Sequence, residues 1–97
     1  MKQTAVLVNV ARGPVVNNKD LYEALVNEEI MAAGLDVIEQ EPLAFTNPLS
    51  KLKDSNQLII TPHIGWASVE ARTRCVNEVY KNIESFQNGV DRNIVIL

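Results

Sequence analysis

Three side chains with complementary chemistry, Arg12, Glu41 and His63, each follow a short apolar segment of the chain. Arginine presents a rigid fork of N–H donors that fits a carboxylate through two parallel hydrogen bonds. Histidine exchanges protons near neutral pH, and a neighbouring carboxylate orients its ring and favours its charged form. Together, such groups could bind a 2-oxo acid by its carboxylate and carbonyl and protonate the oxygen as hydride arrives at the carbon.

Each of these residues also has a plainer interpretation when it is taken alone. Arg12 suits an exposed turn, and His63 suits a loop histidine bonded to backbone. Glu41 suits a solvated loop carboxylate. Asp36 is harder to explain in this way, because it ends an apolar segment and an unpaired buried carboxylate is costly. Trp66 fits a core residue, a pocket wall or a contact with another chain equally well.

The first half of the chain alternates apolar and helical patterns in the manner of a parallel α/β sheet. Apolar runs rich in β-branched residues predict the strands, the first of them covered on both faces. These strands are predicted at 5–10, 31–37 and 58–61. Apolar residues at helical spacing predict a helix over 19–28, capped by Asn17 or Asn18. Because parallel strands end at one edge of a sheet, where ligands bind, the candidate residues are expected together there.

The second half predicts a long loop and then the longest helix. The loop covers 38–56 and contains a turn of helix at 48–52; a loop of this length in a compact domain is uncommon unless it is functional. The helix is predicted over 69–88, with Ser68 as its N-cap and Gly89 as its end. It is followed by an apolar tail that needs a partner.

Composition excludes several classes of protein. Nine Lys and Arg residues against twelve Asp and Glu give a formal net charge of −3. Since no basic run is present, nucleic acid and anionic membrane are not expected as partners.

The single cysteine, Cys75, cannot form an internal disulfide and is expected to be buried on the long helix. The N-terminal apolar segment is too short for a signal peptide or a membrane span, so we expect a cytoplasmic protein. One histidine and one cysteine predict no metal site.

Three strings of residues follow one another along the chain: 8–16 (VNVARGPVV), 33–42 (AGLDVIEQEP) and 61–68 (TPHIGWAS). In this order and spacing they resemble the closing part of D-isomer-specific 2-hydroxyacid dehydrogenases, over nearly the whole chain. The resemblance implies a partial Rossmann-like parallel sheet, with 1–67 as the C-terminal portion of an NAD-binding domain. It also implies that 68–97 form a helix and tail that cross back to a substrate domain.

The resemblance further implies a role for each candidate residue. Arg12 binds the substrate carboxylate and carbonyl, His63 is the general acid/base, and Glu41 is its carboxylate partner. Asp36 contacts the nicotinamide carboxamide. The implied cofactor pocket contains Val10, Ala11, Arg12, Asp36, His63 and Gly65, and the implied substrate pocket contains Arg12, His63 and Trp66. The Trp-Ala pair after Gly65 is similar to the glycerate dehydrogenase and hydroxypyruvate or glyoxylate reductase branch.

The implied function is hydride transfer between NAD or NADP, with NAD favoured, and a small D-2-hydroxy acid or 2-oxo acid. Full-length members are longer, and the widely spaced glycines leave no G-x-G-x-x-G phosphate loop, so we expect a part of a parent enzyme with little activity alone. A dehydrogenase-like corepressor that senses the dinucleotide is the alternative. The helix stripe over 75–86 and the tail at 94–97 are expected to lack their usual partners, which favours a homodimer, with exchange of the C-terminal helix as one form.

Overall fold

The computed structural model describes residues 1–96, which fall into two units. The first is Met1–Gly65, and the second begins at Trp66. The predicted boundary after residue 67 lies two residues beyond this division. The assignment of the two parts to an NAD-binding domain and a returning segment stays a prediction.

The first unit is built on a three-stranded parallel sheet. Its strands are β1 (Val6–Asn9), β2 (Ala32–Leu35) and β3 (Leu58–Ile60), in the order β1-β2-β3. Helix α1 (Asn18–Val26) joins β1 to β2, and short 3₁₀ helices lie at Gly13–Val15 and Pro48–Leu52. The predicted α/β fold class, with parallel strands and a crossover helix, is confirmed.

Helix α1 begins where the sequence provides a cap and packs through its apolar stripe. The side chain of Asn17 accepts hydrogen bonds from the amides of Lys19 and Asp20 at 3.0 and 3.2 Å, which satisfies two otherwise unpaired donors. Leu21 and Leu25 then face the sheet and are buried. The core consists of Leu21, Leu25, Ile30, Ala33, Leu35, Ile38, Leu49 and Leu58.

Only one face of the sheet carries this core, so the prediction that the first strand is covered on both faces is wrong for this unit. Leu7 packs against the core, whereas Val6 and Val8 on the opposite face are 49% and 67% exposed. On the same open face, Ile59 of β3 is 70% exposed. An unbroken apolar strand indicates that both faces can be covered, but it does not provide the second layer.

The second unit consists of helix α2 (Val69–Gln87) and the residues that follow it. Ser68 caps the helix by accepting a hydrogen bond from the Ala71 amide at 3.1 Å, and Gly89 ends it with φ +66°. No residue of α2 is buried, and Cys75 is exposed, which corrects the prediction that this thiol is buried. None of the helices in the described residues has the length and apolar character needed to cross a membrane.

The chain after α2 turns back onto its own helix through one arginine. The guanidinium of Arg92 donates to the side chains of Glu78 and Asn82. This hydrogen bonding, first that of Arg92 and then that of Lys81, lowers the pKa of Glu78. Of the predicted apolar tail, residues 94–96 adopt no regular secondary structure, and Leu97 lies outside the described residues.

Candidate active site

The carboxyl ends of the three strands form one edge, and the predicted chemical groups follow these ends. Asp36 comes directly after β2, and its amide donates to the carbonyl of Asn9 at 2.9 Å. The Thr61 amide donates to the carbonyl of Leu35 at 2.9 Å, so the hydrogen-bonded ladder runs to the edge on both sides of β2. Parallel strands in this order bring residues from separate parts of the chain to one line.

His63 and Glu41 form the pair that the sequence predicts. Nδ1 of His63 lies 3.0 Å from Oε2 of Glu41, and the two side chains are 42% and 40% exposed. The other oxygen of Glu41 accepts the amide of Ile38 at 3.3 Å, which fixes the carboxylate from behind. The hydrogen bond with His63, aided by the Ile38 amide, lowers the pKa of Glu41. Glu41 is therefore a carboxylate at neutral pH and an oriented partner for the imidazole.

The Asp36 carboxylate, also predicted as a site residue, is buried and carries three hydrogen bonds from the loop after β3. The hydroxyl of Thr61 donates to Oδ1 at 2.6 Å, and the amide of Ile64 donates to the same oxygen at 2.9 Å. The amide of Gly65 donates to Oδ2 at 2.8 Å. These three bonds, the Thr61 hydroxyl foremost, lower the pKa of Asp36. Burial of this carboxylate is therefore compensated, because three donors are hydrogen-bonded to it.

Arg12 lies at the same edge but is not hydrogen-bonded to the His63–Glu41 pair. Its side chain is exposed, and its Nη1 donates to the carbonyl of Ala11 at 2.8 Å. In the described residues, no hydrogen bond joins the guanidinium to Glu41 or His63. The structure therefore places Arg12 on the expected edge, with its guanidinium bonded to the backbone of its own turn and not to Glu41 or His63.

The remaining predicted residues are distributed along the edge. Val10 and Ala11 are exposed where the chain leaves β1. Gly65 approaches Asp36 so closely that a β-carbon on it would lie 3.0 Å from Oδ2, which is tighter than an ordinary van der Waals contact. Trp66 is the first residue of the second unit, so its predicted place in a substrate pocket stays a prediction.

A cavity of ≈ 460 Å³ opens beside the His63–Glu41 pair. Both polar and apolar residues line it: Asp36, Ile38, Glu41, Pro42, Leu43, Ile60, Thr61, Pro62 and His63. Concave sites of this kind, with a few polar groups at an apolar wall, suit small organic ligands. Among residues 1–96, no three side chains of the metal-ligating types come together.

Two buried asparagines support the edge, and sequence reasoning singled out neither for this role: Asn9 was given no role, and Asn18 was considered only as a helix cap. Asn9, 5% exposed, bonds the turn that carries Arg12. Asn18, 1% exposed, accepts the amide of Glu39 at 3.4 Å and the side-chain amide of Asn47 at 3.0 Å. Its own backbone amide donates to Oε1 of Glu39 at 3.1 Å, which ties the start of α1 to the segment before Glu41. Polar residues inside apolar or capping patterns were the available signal.

The chain is similar in sequence to a known protein family and to curated enzymes. Residues 1–65 match the family model described as "D-isomer specific 2-hydroxyacid dehydrogenase, NAD binding domain". The hydroxypyruvate reductase of Blautia hydrogenotrophica is 41% identical over 95 residues, which cover 98% of this chain and 29% of the relative. The glyoxylate reductase of Korarchaeum cryptofilum is 46% identical over 89 residues, which cover 92% of this chain and 26% of the relative.

A solved structure agrees with these sequence relatives. An acyclic imino acid reductase in complex with NADPH and D-Arg aligns with a TM-score of 0.80 at 34% identity, over 99% of this chain and 29% of that one. The chain therefore spans less than a third of the length of the curated relatives named here.

Proposed function

The chain belongs to the D-isomer-specific 2-hydroxyacid dehydrogenase family, and from this premise we propose that it carries the acid/base and substrate-orienting groups of a dehydrogenase. The proposed enzyme interconverts a small D-2-hydroxy acid, of the glycerate type, and its 2-oxo acid, of the hydroxypyruvate or glyoxylate type. The observation that carries the proposal is the 3.0 Å contact between His63 Nδ1 and Glu41 Oε2 at the carboxyl edge of the sheet. The named relatives are reductases, which supports an enzyme over a dinucleotide-sensing corepressor.

In the proposed reduction, His63 donates a proton to the carbonyl oxygen of the 2-oxo acid. Glu41 holds the other imidazole proton at Nδ1, so the exchange with substrate falls to Nε2. The Glu41 carboxylate also stabilises the imidazolium that precedes proton donation. In the reverse direction, His63 accepts the hydroxyl proton of the hydroxy acid. The pair thus acts as general acid in one direction and general base in the other.

Arg12 is proposed to bind the substrate carboxylate. Its guanidinium is exposed at the edge and offers two parallel donors, a geometry that a carboxylate matches. Two hydrogen bonds from the guanidinium would fix the orientation of the substrate carboxylate. The adjacent 2-oxo carbon would then be held in one orientation for hydride transfer.

A nicotinamide cofactor fits the residues on this edge. The cofactor, when bound, supplies or accepts the hydride. The Asp36 carboxylate has one acceptor position left beyond its three protein donors, and this position suits a carboxamide N–H. Gly65 has no side chain that would crowd this carboxylate. Val10 and Ala11 are exposed apolar residues at the same edge. NAD stays the predicted preference over NADP.

The test uses the native polypeptide that contains this chain, at the length at which the cell makes it. Loss of reduced-nicotinamide absorbance is followed with hydroxypyruvate and with glyoxylate, using NADH and NADPH in turn. His63→Ala and Arg12→Ala should abolish turnover, whereas Lys53→Ala, an exposed change away from the edge, should not. A near-normal rate for His63→Ala would overturn the acid/base assignment.

We also propose that the chain forms a homodimer, with exchange of its C-terminal helix as one form of association. The open sheet face supports this, since exposed apolar side chains such as Val6, Val8 and Ile59 mark contact surfaces. A monodisperse monomer in light scattering at micromolar concentration would contradict it. The predicted cytoplasmic location is checked by fractionating cells and following the native protein.

A further inference from the structure

The loop after β3 is wrapped around the carboxylate of Asp36. Thr61 binds this carboxylate through its hydroxyl at 2.6 Å, from a position two residues before His63. The amides of Ile64 and Gly65 bind it at 2.9 and 2.8 Å, from the positions after His63. His63 therefore lies at the apex of a loop that is bound to Asp36 on both sides.

His63 depends on such support because its backbone lies in the left-handed region, with φ +56°. Residues with a β-carbon rarely adopt this conformation, and they keep it only where the surrounding structure holds them. The His63 amide also donates to the carbonyl of Thr61 at 3.0 Å. Thr61 therefore contacts His63 through its backbone carbonyl and Asp36 through its hydroxyl, so it joins the segment that carries the imidazole to this carboxylate.

We propose that Thr61 is a positioning residue for the His63–Glu41 pair. Its hydroxyl completes the set of donors that holds the loop to Asp36, and the closed loop keeps Nδ1 of His63 against Glu41. Thr61 acts on turnover through His63 rather than by touching substrate. The catalytic part of this inference rests on the proposed function, whereas the positional part concerns the structure of the chain itself.

The hydroxyl, and not the shape of the side chain, is the group that matters. Valine has the same branched shape but would leave Asp36 with two of its three donors, whereas serine would keep all three. A hydrogen bond to an ionised carboxylate is of the stronger, charge-assisted kind. That the Thr61 hydroxyl is the foremost cause of the lowered pKa of Asp36 agrees with a bond to the charged form.

The first test follows the imidazole by nuclear magnetic resonance in the 97-residue chain. The chain contains one histidine, so the ring resonances of His63 need no separation from others. Thr61→Val should shift the Nδ1 resonance towards that of a Glu41→Gln variant, and Thr61→Ser should keep it near the wild-type position. Thr46→Val, the same chemical change at an exposed residue, is the control. Wild-type Nδ1 signals in a folded Thr61→Val protein would overturn the inference.

If Thr61→Val does not fold, Thr61→Ala provides the same comparison, because it removes the hydroxyl without placing a methyl group against the carboxylate. A folded Thr61→Ala protein should show the displaced Nδ1 resonance, and wild-type signals there would equally overturn the inference. Thr61→Ser again serves as the variant that restores the hydrogen bond.

The second test measures turnover of the native polypeptide. Thr61→Val should lower kcat between about 10- and 100-fold, the range that misplacement of a catalytic group produces, with little change in the KM of the 2-oxo acid. Thr61→Ser should recover most of the loss. If wild type itself shows no dehydrogenase activity, the proposed function fails while the resonance test still decides the positional inference. If Thr61→Val is as active as wild type, the inference fails and the proposed function stands.

Discussion

The side-chain amide of Asn9 donates a hydrogen bond to the carbonyl of Arg12 at 2.9 Å, across the turn that ends β1. Its side-chain oxygen accepts the amide of Ala11 at 3.1 Å. Because Asn9 is buried and Arg12 is exposed, the turn is anchored from inside the sheet while the guanidinium stays accessible. The direction in which Arg12 leaves the sheet is therefore set through its backbone.

Asn9→Ala is expected to release this turn and to weaken the orientation of substrate. Two partly exposed hydrogen bonds are lost, so the free energy of unfolding should fall by about 1–2 kcal/mol. In the native polypeptide, the KM for the 2-oxo acid should rise on the order of tenfold. Steady-state kinetics measures this constant. Asn56→Ala, at an exposed asparagine, is the control, and equal substrate KM values in the two variants would count against the role of Asn9.

Gly13→Ala is expected to destabilise the first unit, because the turn after β1 lies against backbone. A β-carbon on Gly13 would lie 1.9 Å from the carbonyl oxygen of Ile38, and a peptide group cannot move aside as a flexible side chain can. The free energy of unfolding should fall by about 1–3 kcal/mol or more. Gly34→Ala is the matched control, since its β-carbon would meet no atom within 4 Å. Urea denaturation that found both variants equally stable would show that the turn can move away from Ile38.

Most element boundaries could be predicted because local chemistry determines them. The caps Asn17 and Ser68 and the left-handed Gly89 place the helix ends within two residues of the predicted ones. The helical turn predicted at 48–52 is the 3₁₀ helix Pro48–Leu52. Such signals act over three or four residues and are therefore legible in sequence.

The contacts among site residues were harder to predict from the sequence, because they depend on strand register. Asp36 and Thr61 meet because parallel pairing sets the end of β3 beside the end of β2. The apolar pattern indicated that an ionised Asp36 needs a partner, but no local sequence pattern identified Thr61 as that partner. The exposure of Val8 and Cys75 was mispredicted for a related reason, since an apolar pattern shows what a face can bury and not whether a partner is present.

The stability of the first unit should depend on pH through Asp36. Its pKa is lowered on folding, so the unfolded chain binds more protons in the acid range, and stability is lost as pH falls through the lowered pKa. Asp36→Asn should therefore be less stable than wild type at neutral pH, and the difference should shrink below the usual aspartate pKa of about 3.9. Urea denaturation at a series of pH values measures this. Asp54→Asn, at an exposed carboxylate, is the control. A difference that does not vary with pH would contradict the assignment.

Glu41 and Glu39 offer a matched pair for testing the charge beside His63. Each glutamate accepts a backbone amide, Glu41 from Ile38 and Glu39 from Asn18, and a glutamine could accept the same bond through its carbonyl oxygen. Only Glu41 lies against the imidazole, at 3.0 Å from Nδ1. An uncharged amide there can still orient the ring, but it stabilises an imidazolium less than a carboxylate does.

Glu41→Gln is therefore expected to lower kcat of the native polypeptide by about 10- to 100-fold, since part of the contribution of general acid/base catalysis depends on that charge. Glu39→Gln removes the same charge two residues away and should leave kcat near wild type. Substrate KM should change little in either variant, because Arg12 rather than the pair is proposed to bind the carboxylate. Single-turnover and steady-state rates of cofactor oxidation separate the chemical step from product release. An equal decrease in kcat in the two variants would contradict this prediction. It would mean that the total negative charge of the segment, and not the contact of Glu41 with His63, affects the rate.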